Sequence, residues 1–408
     1  MSTSIQMLRN SYVRIIIISN LWSQLGIWIR NFAVLLYVME KTRGDAFAVS
    51  MISVAEYAPI FIFSFIGGVF ADRWRPKRTM IWCESLSALS VFVVFLVLNT
   101  GSWEAVFFAT LCSSILSQFA QPSGMKLFKK HVRDEDAPSC MSLLQTLFSV
   151  FMITGPVLGT LAYQQLGIEL SMLFTSVSFL LSAVAMFFIP ADPNAQQHNL
   201  NVQTPSLFNE MIDGIRYVIS KKVILWLSVC FMLVGLGVGL ISPLGIFIIT
   251  EQLNLPVEYL QWITIPYGLG EIIGGILTFT LAAKIAPQRF LLLGLLVNGA
   301  GLFLIGLSTE LWITMIAQFL IALLQPAIFI GNNALVMQHT KQDYIGRVTG
   351  IRTPLMTGAM LIMMSFSGVL KNMLSLTTVY EMAGLCFLAG IFIIFPVRKR
   401  ANPSKSYL

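Results

Sequence analysis

Apolar runs of about twenty residues recur along the whole chain, and that is the length a helix needs to cross a bilayer. Twelve such windows can be laid down, at 13–38, 47–70, 79–98, 103–119, 142–163 and 171–189, then at 223–250, 260–285, 290–307, 311–333, 348–370 and 376–395. The longest polar stretch, 190–222, divides six spans from six. Within it Phe208, Met211, Ile212, Ile215, Val218 and Ile219 follow helical spacing, which predicts a short amphipathic helix on the inner membrane surface. The expected organisation is a six-helix bundle over 1–189, a cytoplasmic linker over 190–222 and a second six-helix bundle over 223–408. Such an arrangement suggests two bundles related by an axis along the membrane normal, with a site between them. The predicted class is an all-α membrane protein of twelve transmembrane helices.

Composition agrees. Of 408 residues 56% are hydrophobic and 11% charged, against roughly 25% charged in an average soluble protein. The mean hydropathy is +0.78. A soluble globule could not cover its surface with so few charges, so collagen, a disordered tail, a disulfide scaffold and a cytosolic enzyme are excluded. Cys83, Cys112, Cys140, Cys230 and Cys386 lie in or beside apolar runs with no CxxC pair, and His131, His198 and His339 are far apart. Neither a disulfide frame nor a metal site is indicated. No small-residue cleavage site follows the first run, which is expected to be a retained span.

The basic residues set the orientation. With the N-terminus inside, the inner segments hold Arg9, Arg14, Arg73, Arg75, Lys77 and Arg78, then Lys126, Lys129, Lys130 and Arg133. Arg216, Lys221, Lys222, Lys284, Arg289, Lys341, Arg347, Arg352, Arg398, Lys399, Arg400 and Lys405 follow on the same side. Only Lys41, Arg43 and Lys371 fall outside, and Arg30 lies within a span. Both termini are expected to be cytoplasmic. Topology accounts for the net charge of +7, and no nucleic-acid partner is needed.

Polar side chains inside hydrocarbon should face protein or water. Span 1 carries Asn20, Gln24, Trp28 and Asn31; span 4 carries Ser114, Ser117, Gln118 and Gln121; span 10 carries Gln318, Gln325 and Asn332. Gly235, Gly239 and Ser242 form a weaker stripe on span 7. Helix–helix hydrogen bonding would explain one stripe; stripes at every third span point to a wet cavity lined by spans 1, 4, 7 and 10. Three ionisable residues lie deep: Arg30, Glu56 and Glu271. Arg30 and Glu56 are about 12 and 14 Å from the outer end of their spans at about 1.5 Å per residue. An ion pair between them would either lock spans 1 and 2 or exchange a proton. Glu271 has no obvious basic partner and is the better candidate for a proton carrier. Gly155-Pro156-x-x-Gly159, Gly235-x-x-x-Gly239 and Gly270-x-x-x-Gly274 are small-xxx-small patterns that permit close helix contact. Pro156 and Pro243 are positions where a span can bend.

Between spans 2 and 3 runs Gly67-Gly68-Val69-Phe70-Ala71-Asp72-Arg73-Trp74-Arg75-Pro76-Lys77-Arg78. It resembles the signature G-x-x-x-D-R-x-G-R-[RK] of the major facilitator superfamily, with Arg75 at the second glycine and Pro76 at the following arginine. The resemblance implies the major facilitator fold, with Gly68, Asp72, Arg73, Lys77 and Arg78 as a conformational-switch loop. Val38-Met39-Glu40-Lys41-Thr42, Phe119-Ala120-Gln121-Pro122 and Gly346-Arg347-Val348 are similar to the drug-exporter branch containing macrolide-efflux and siderophore-export proteins. Gly155, Pro156 and Gly159 resemble the core of that branch's antiporter signature, with Phe151 where the pattern has another glycine. Such exporters often carry an arginine in span 4; Ser113 holds that position here, and Arg30 is the available substitute.

The resemblance implies a monomeric secondary transporter in a bacterial plasma membrane. It would export an amphiphilic small molecule in exchange for protons, by alternating access and without a cofactor. Alternatives are a narrower siderophore or lysolipid exporter, a uniporter or, remotely, a membrane enzyme holding magnesium at Asp134, Glu135 and Asp136. No G-x-x-x-x-G-K-[ST] occurs, so ATP-driven pumping by this chain is not expected.

Overall fold

The computed structural model of the protein describes residues 11–98, 102–131, 137–189, 207–281, 284–341 and 344–400. At 64–73, 121–122, 125–126, 128–131, 137–146, 149, 207–211, 346 and 395–400 it describes the backbone alone. Helices α1 (Ser11–Lys41), α2 (Ala46–Arg73), α3 (Pro76–Leu98) and α4 (Ala105–His131) carry spans 1 to 4. Spans 5 and 6 are joined in α5 (Ala137–Phe187). The interval 164–170 between the two windows is helical except at Gly167, whose φ of 72° is open to glycine at little cost. The amphipathic helix is α6 (Leu207–Ser220). Then come α7 (Lys222–Ile241), α8 (Leu260–Leu281), α9 (Pro287–Leu307), α10 (Leu311–His339), α11 (Ile345–Met373) and α12 (Leu376–Arg400). Ten stretches of the described residues are long and apolar enough to cross a membrane. The twelve spans are recovered because one stretch holds both limbs of α5 and the apolar part of α4, Ala105–Ala120, is a shorter run.

Span 7 departs from the single helix expected over 223–250. After Ile241 the chain tightens into a 3-10 turn at Ser242–Leu244, with Pro243 in its first turn, and then widens into a π turn at Ile248–Gln252. Proline cannot donate to the helical ladder, so the regular repeat breaks there. Pro156 does not break its helix: Gly167 is the residue with non-helical torsions inside α5.

The chain divides into two compact units, 1–200 and 201–408. In the first, α1 lies between the limbs of α5. Trp28 and Phe32 sit against Gly155 and Gly159 of the first limb, while Gly26 sits against Thr175 and Ser178 of the second. Farther down α1, Ser19 meets Ser182 at 2.8 Å. Moving outward along α1, partners on the first limb rise in number and those on the second fall, so the limbs run antiparallel and the chain turns back at Gly167. A buried cluster of Val13, Ile16, Leu127, Met186 and Ile189 fills the inner end. The unit is completed by α3 on α4 and α5, and α2 on α4.

In the second unit α7 lies between α11 and α12, α9 packs on α10 and α12, and α8 packs on α10. Gly235 and Gly239 meet Met356 and Met360, so α11 runs parallel to α7. Cys230 meets Gly390 and Gly237 meets Phe387, so α12 runs antiparallel to it. One packing scheme thus occurs twice, the limbs of α5 corresponding to α11 and α12. Around both units large apolar side chains point outward, Phe279 and Phe392 being 80% and 79% exposed. Lipid is the medium that suits such a surface.

Candidate functional site

Four of the residues expected at a functional site converge in the first unit, on α1, α2 and α4. Arg30 is 3% exposed. Its Nη1 donates to Ser113 Oγ on α4, and its Nη2 and Nε donate to Asn31 Oδ1 at 2.7 and 3.1 Å. Asn31 Nδ2 in turn donates to Glu56 Oε1 on α2 at 2.8 Å. Ser114 Oγ donates to the Glu56 backbone carbonyl at 2.5 Å. Arg30 and Glu56 therefore do not form the ion pair expected from their matching depths; the Asn31 carboxamide stands between them. The amide is suited to this position, since its oxygen can accept from the cation while its nitrogen donates to the carboxylate. Arg30 also delivers its guanidinium to Ser113, the position where the resemblance leads one to expect an arginine.

The remaining stripe residues make contacts of their own within each unit. Trp28 packs on Gly155 and stacks with Phe32 at a centroid distance of 6.0 Å. Gln118 donates within its own helix, to Ser117 Oγ at 3.1 Å. Asn20 and Gln24 are partly buried with no hydrogen-bond partner among the described residues. On α10, Gln325 accepts from the Tyr267 hydroxyl at 2.7 Å and Gln318 is partly buried. Asn332 is fully buried and is taken up by another residue: it accepts from Arg352 Nη2 and donates to the Leu227 carbonyl at 3.3 Å. Gly235 and Gly239 do not form a polar face, because α11 lies directly against them. Glu271 stands on α8 with its Oε2 buried and lacking a hydrogen-bond partner among the described residues.

Two further ionisable groups, Glu84 and Arg352, are buried. Glu84 on α3 is 9% exposed; Oε1 accepts from Ser23 Oγ at 3.1 Å, Ser182 is also at hand, and Oε2 is buried. Its position as the sixth residue of span 3 is a readable signal. Arg352, grouped above with the inner basic residues, is 3% exposed on α11 and lies over the Phe231 ring at 5.2 Å. It too stands inside a window marked as a span, and a loop assignment would have left it hydrated.

Of the switch loop, Lys77 donates to the carbonyls of Phe187 and Ile189 at 3.1 and 2.5 Å. A cation at the end of α5 complements the negative pole of that helix. Arg78 is exposed. The side chains of Gly68, Asp72, Arg73 and Gln121 lie outside the described residues, as do Asp134, Glu135 and Asp136.

Residues 16–244 and 227–407 each match the sequence model of the Major Facilitator Superfamily. The chain is 24% identical over 343 residues to the MFS-type transporter YkuC of Bacillus subtilis, covering 82% of this chain and 79% of YkuC. It is 22% identical over 384 residues to macrolide efflux protein A of Streptococcus pyogenes, covering 90% and 91%. Among solved structures, the nucleoside transporter NupG superposes with a TM-score of 0.72 at 15% identity, over 96% of this chain and 99% of that one. The sequence match runs through both units, the packing scheme repeats in each, and the chain accordingly belongs to the Major Facilitator Superfamily of multi-pass membrane transporters.

Proposed function

We propose that the protein exports amphiphilic small molecules in exchange for protons, by alternating access of its two six-helix units. The observation that carries this reading is the relay from Arg30 through Asn31 to Glu56. A charged carboxylate at Glu56 holds Asn31, and Asn31 holds the guanidinium. Protonating Glu56 weakens its bond to Asn31 and loosens the contact between α1 and α2, so one proton can alter how two spans are held. The likeness to a macrolide efflux protein supports an amphiphilic cargo. Glu271, with one oxygen buried and without a hydrogen-bond partner among the described residues, is a second candidate for the exchanged proton.

The test uses proteoliposomes loaded with a radiolabelled macrolide. Export accelerated by an inward proton gradient and collapsed by a protonophore is expected. Glu56→Gln should retain exchange at equilibrium while losing acceleration by the gradient. Equal flux with and without a gradient would identify a uniporter. Absence of macrolide flux, with a siderophore or lysolipid accumulating inside cells that lack the protein, would identify a narrower exporter.

A further inference from the structure

The corner where α6 meets α7 presents a surface that the transport reading does not use. Around its axis α6 has two faces. Gly214 and Val218 are buried, and a Cβ on Gly214 would stand 2.6 Å from Ile351 Cδ1 and 3.2 Å from Arg347 Cβ on α11. Tyr217 stacks on Tyr344 with ring centroids 4.2 Å apart and planes at 13°. Its hydroxyl accepts the Lys341 N–H at 3.1 Å. This face is occupied by protein. The opposite face carries Ile212, Ile215 and Ile219, exposed by 38%, 43% and 61%. Their spacing of three and four places them in one stripe. With Arg216 and Ser220 they form one open, mostly apolar surface.

The level of this surface follows from the chain. Lys221 is the single residue between α6 and α7, and α7 begins a membrane span at Lys222. Ile219 therefore lies within a turn of the level where the chain enters hydrocarbon. Trp226, one turn into α7, is 42% exposed, as suits a side chain at the interface. Arg216, Lys221 and Lys222 are all exposed at this corner, and Asp213 is the one exposed acid among the described side chains of α6. An apolar stripe bordered by cations at the entry to a span matches an acyl chain continuous with a negative headgroup.

We propose that the α6–α7 corner binds an anionic phospholipid of the inner leaflet. The acyl chain lies along Ile212, Ile215 and Ile219, and Arg216, Lys221 and Lys222 hold the phosphate and headgroup. Because the other face of α6 grips α11 through Gly214 and the Tyr217–Tyr344 stack, the bound lipid also holds the inner end of α11. The proposal is independent of cargo and coupling ion.

The test is photo-crosslinking of the full-length protein in nanodiscs, using phosphatidylglycerol or phosphatidylcholine with a diazirine on the acyl chain, and mapping adducts by peptide mass spectrometry. Adducts on 207–226 should favour phosphatidylglycerol at low salt, and the preference should fall by about fivefold for each of Arg216→Gln, Lys221→Gln and Lys222→Gln. Ile219→Asp should lose the adducts on α6 while labelling at Phe279 and Phe392, which reports an intact fold, is unchanged. Equal labelling by both lipids, or labelling at Phe279 and Phe392 without any on α6, would overturn the proposal.

Discussion

Arg30 shows why a charged side chain can persist inside this molecule. Its fork of donors reaches two helices at once, meeting Asn31 on its own helix and Ser113 on α4. A lysine ammonium is a point donor without that planar fork. Arg30→Lys is expected to keep the fold and lose most export; Arg30→Ala should destabilise the protein by about 3 kcal/mol, since hydrogen bonds to charged groups contribute about 1.5–3 kcal/mol each. Thermal unfolding in detergent measures this, and adding Glu56→Gln to Arg30→Ala should recover part of the loss. Glu84 is the opposite case. Its carboxylate is held by a neutral serine, so Glu84→Gln, which preserves volume and can still accept from Ser23, should leave thermal stability unchanged or raise it. Glu84→Ala should cost about 1–3 kcal/mol by leaving a void and an unpaired hydroxyl. Equal destabilisation by both variants would show that the charge itself is required.

At the scale of helices, the small-xxx-small patterns act through distance. A Cβ on Gly270 would stand 2.5 Å from the Phe319 carbonyl oxygen, and one on Gly239 would collide with the Met360 backbone. Backbones this close leave no room for a side chain. Gly239→Leu should therefore push α11 off α7 and lower stability by at least about 1–3 kcal/mol, the usual range for overpacking. Gly275→Leu, where a Cβ meets nothing within 4 Å, is the control and should fold normally. Size-exclusion profile and thermal unfolding of the pair decide the matter. The glycine spacing was readable along the chain, but its meaning was not. Gly235 and Gly239 looked equally like a polar face lining a cavity and like a contact surface, because glycine lacks the side chain that would distinguish them. Pro243 and Gly167 differ in the same way: the proline signalled a break that the structure contains, whereas the turn between spans 5 and 6 needs only one residue of positive φ and no polar loop.

For the whole molecule, the repeated packing scheme makes a topological prediction. Arg43, after α1, and Lys284, after α8, should lie on opposite sides of the membrane, given one orientation for the chain. With the native cysteines replaced, Arg43→Cys should react with an impermeant maleimide added to intact cells, and Lys284→Cys only in inside-out vesicles. Reaction of both from one side would refute the span order. That order was legible locally, because hydrocarbon supplies no partner for backbone N–H and C=O groups and each crossing must be a self-satisfied apolar helix written in consecutive residues. The amphipathic period of α6 and the burial of Glu271 and Arg30 follow from the same neighbourhood. The choice of partners does not. Arg30 meets a serine 83 residues away, Ser19 one 163 away, and Arg352 an asparagine 20 away across a turn. Periodicity assigns a residue to a face of its own helix; which neighbour waits there depends on how helices distant in sequence pack, and tertiary structure alone settled that Asn31 would bridge Arg30 and Glu56, that Asn332 would serve Arg352, and that Glu84 would be buried beside serines.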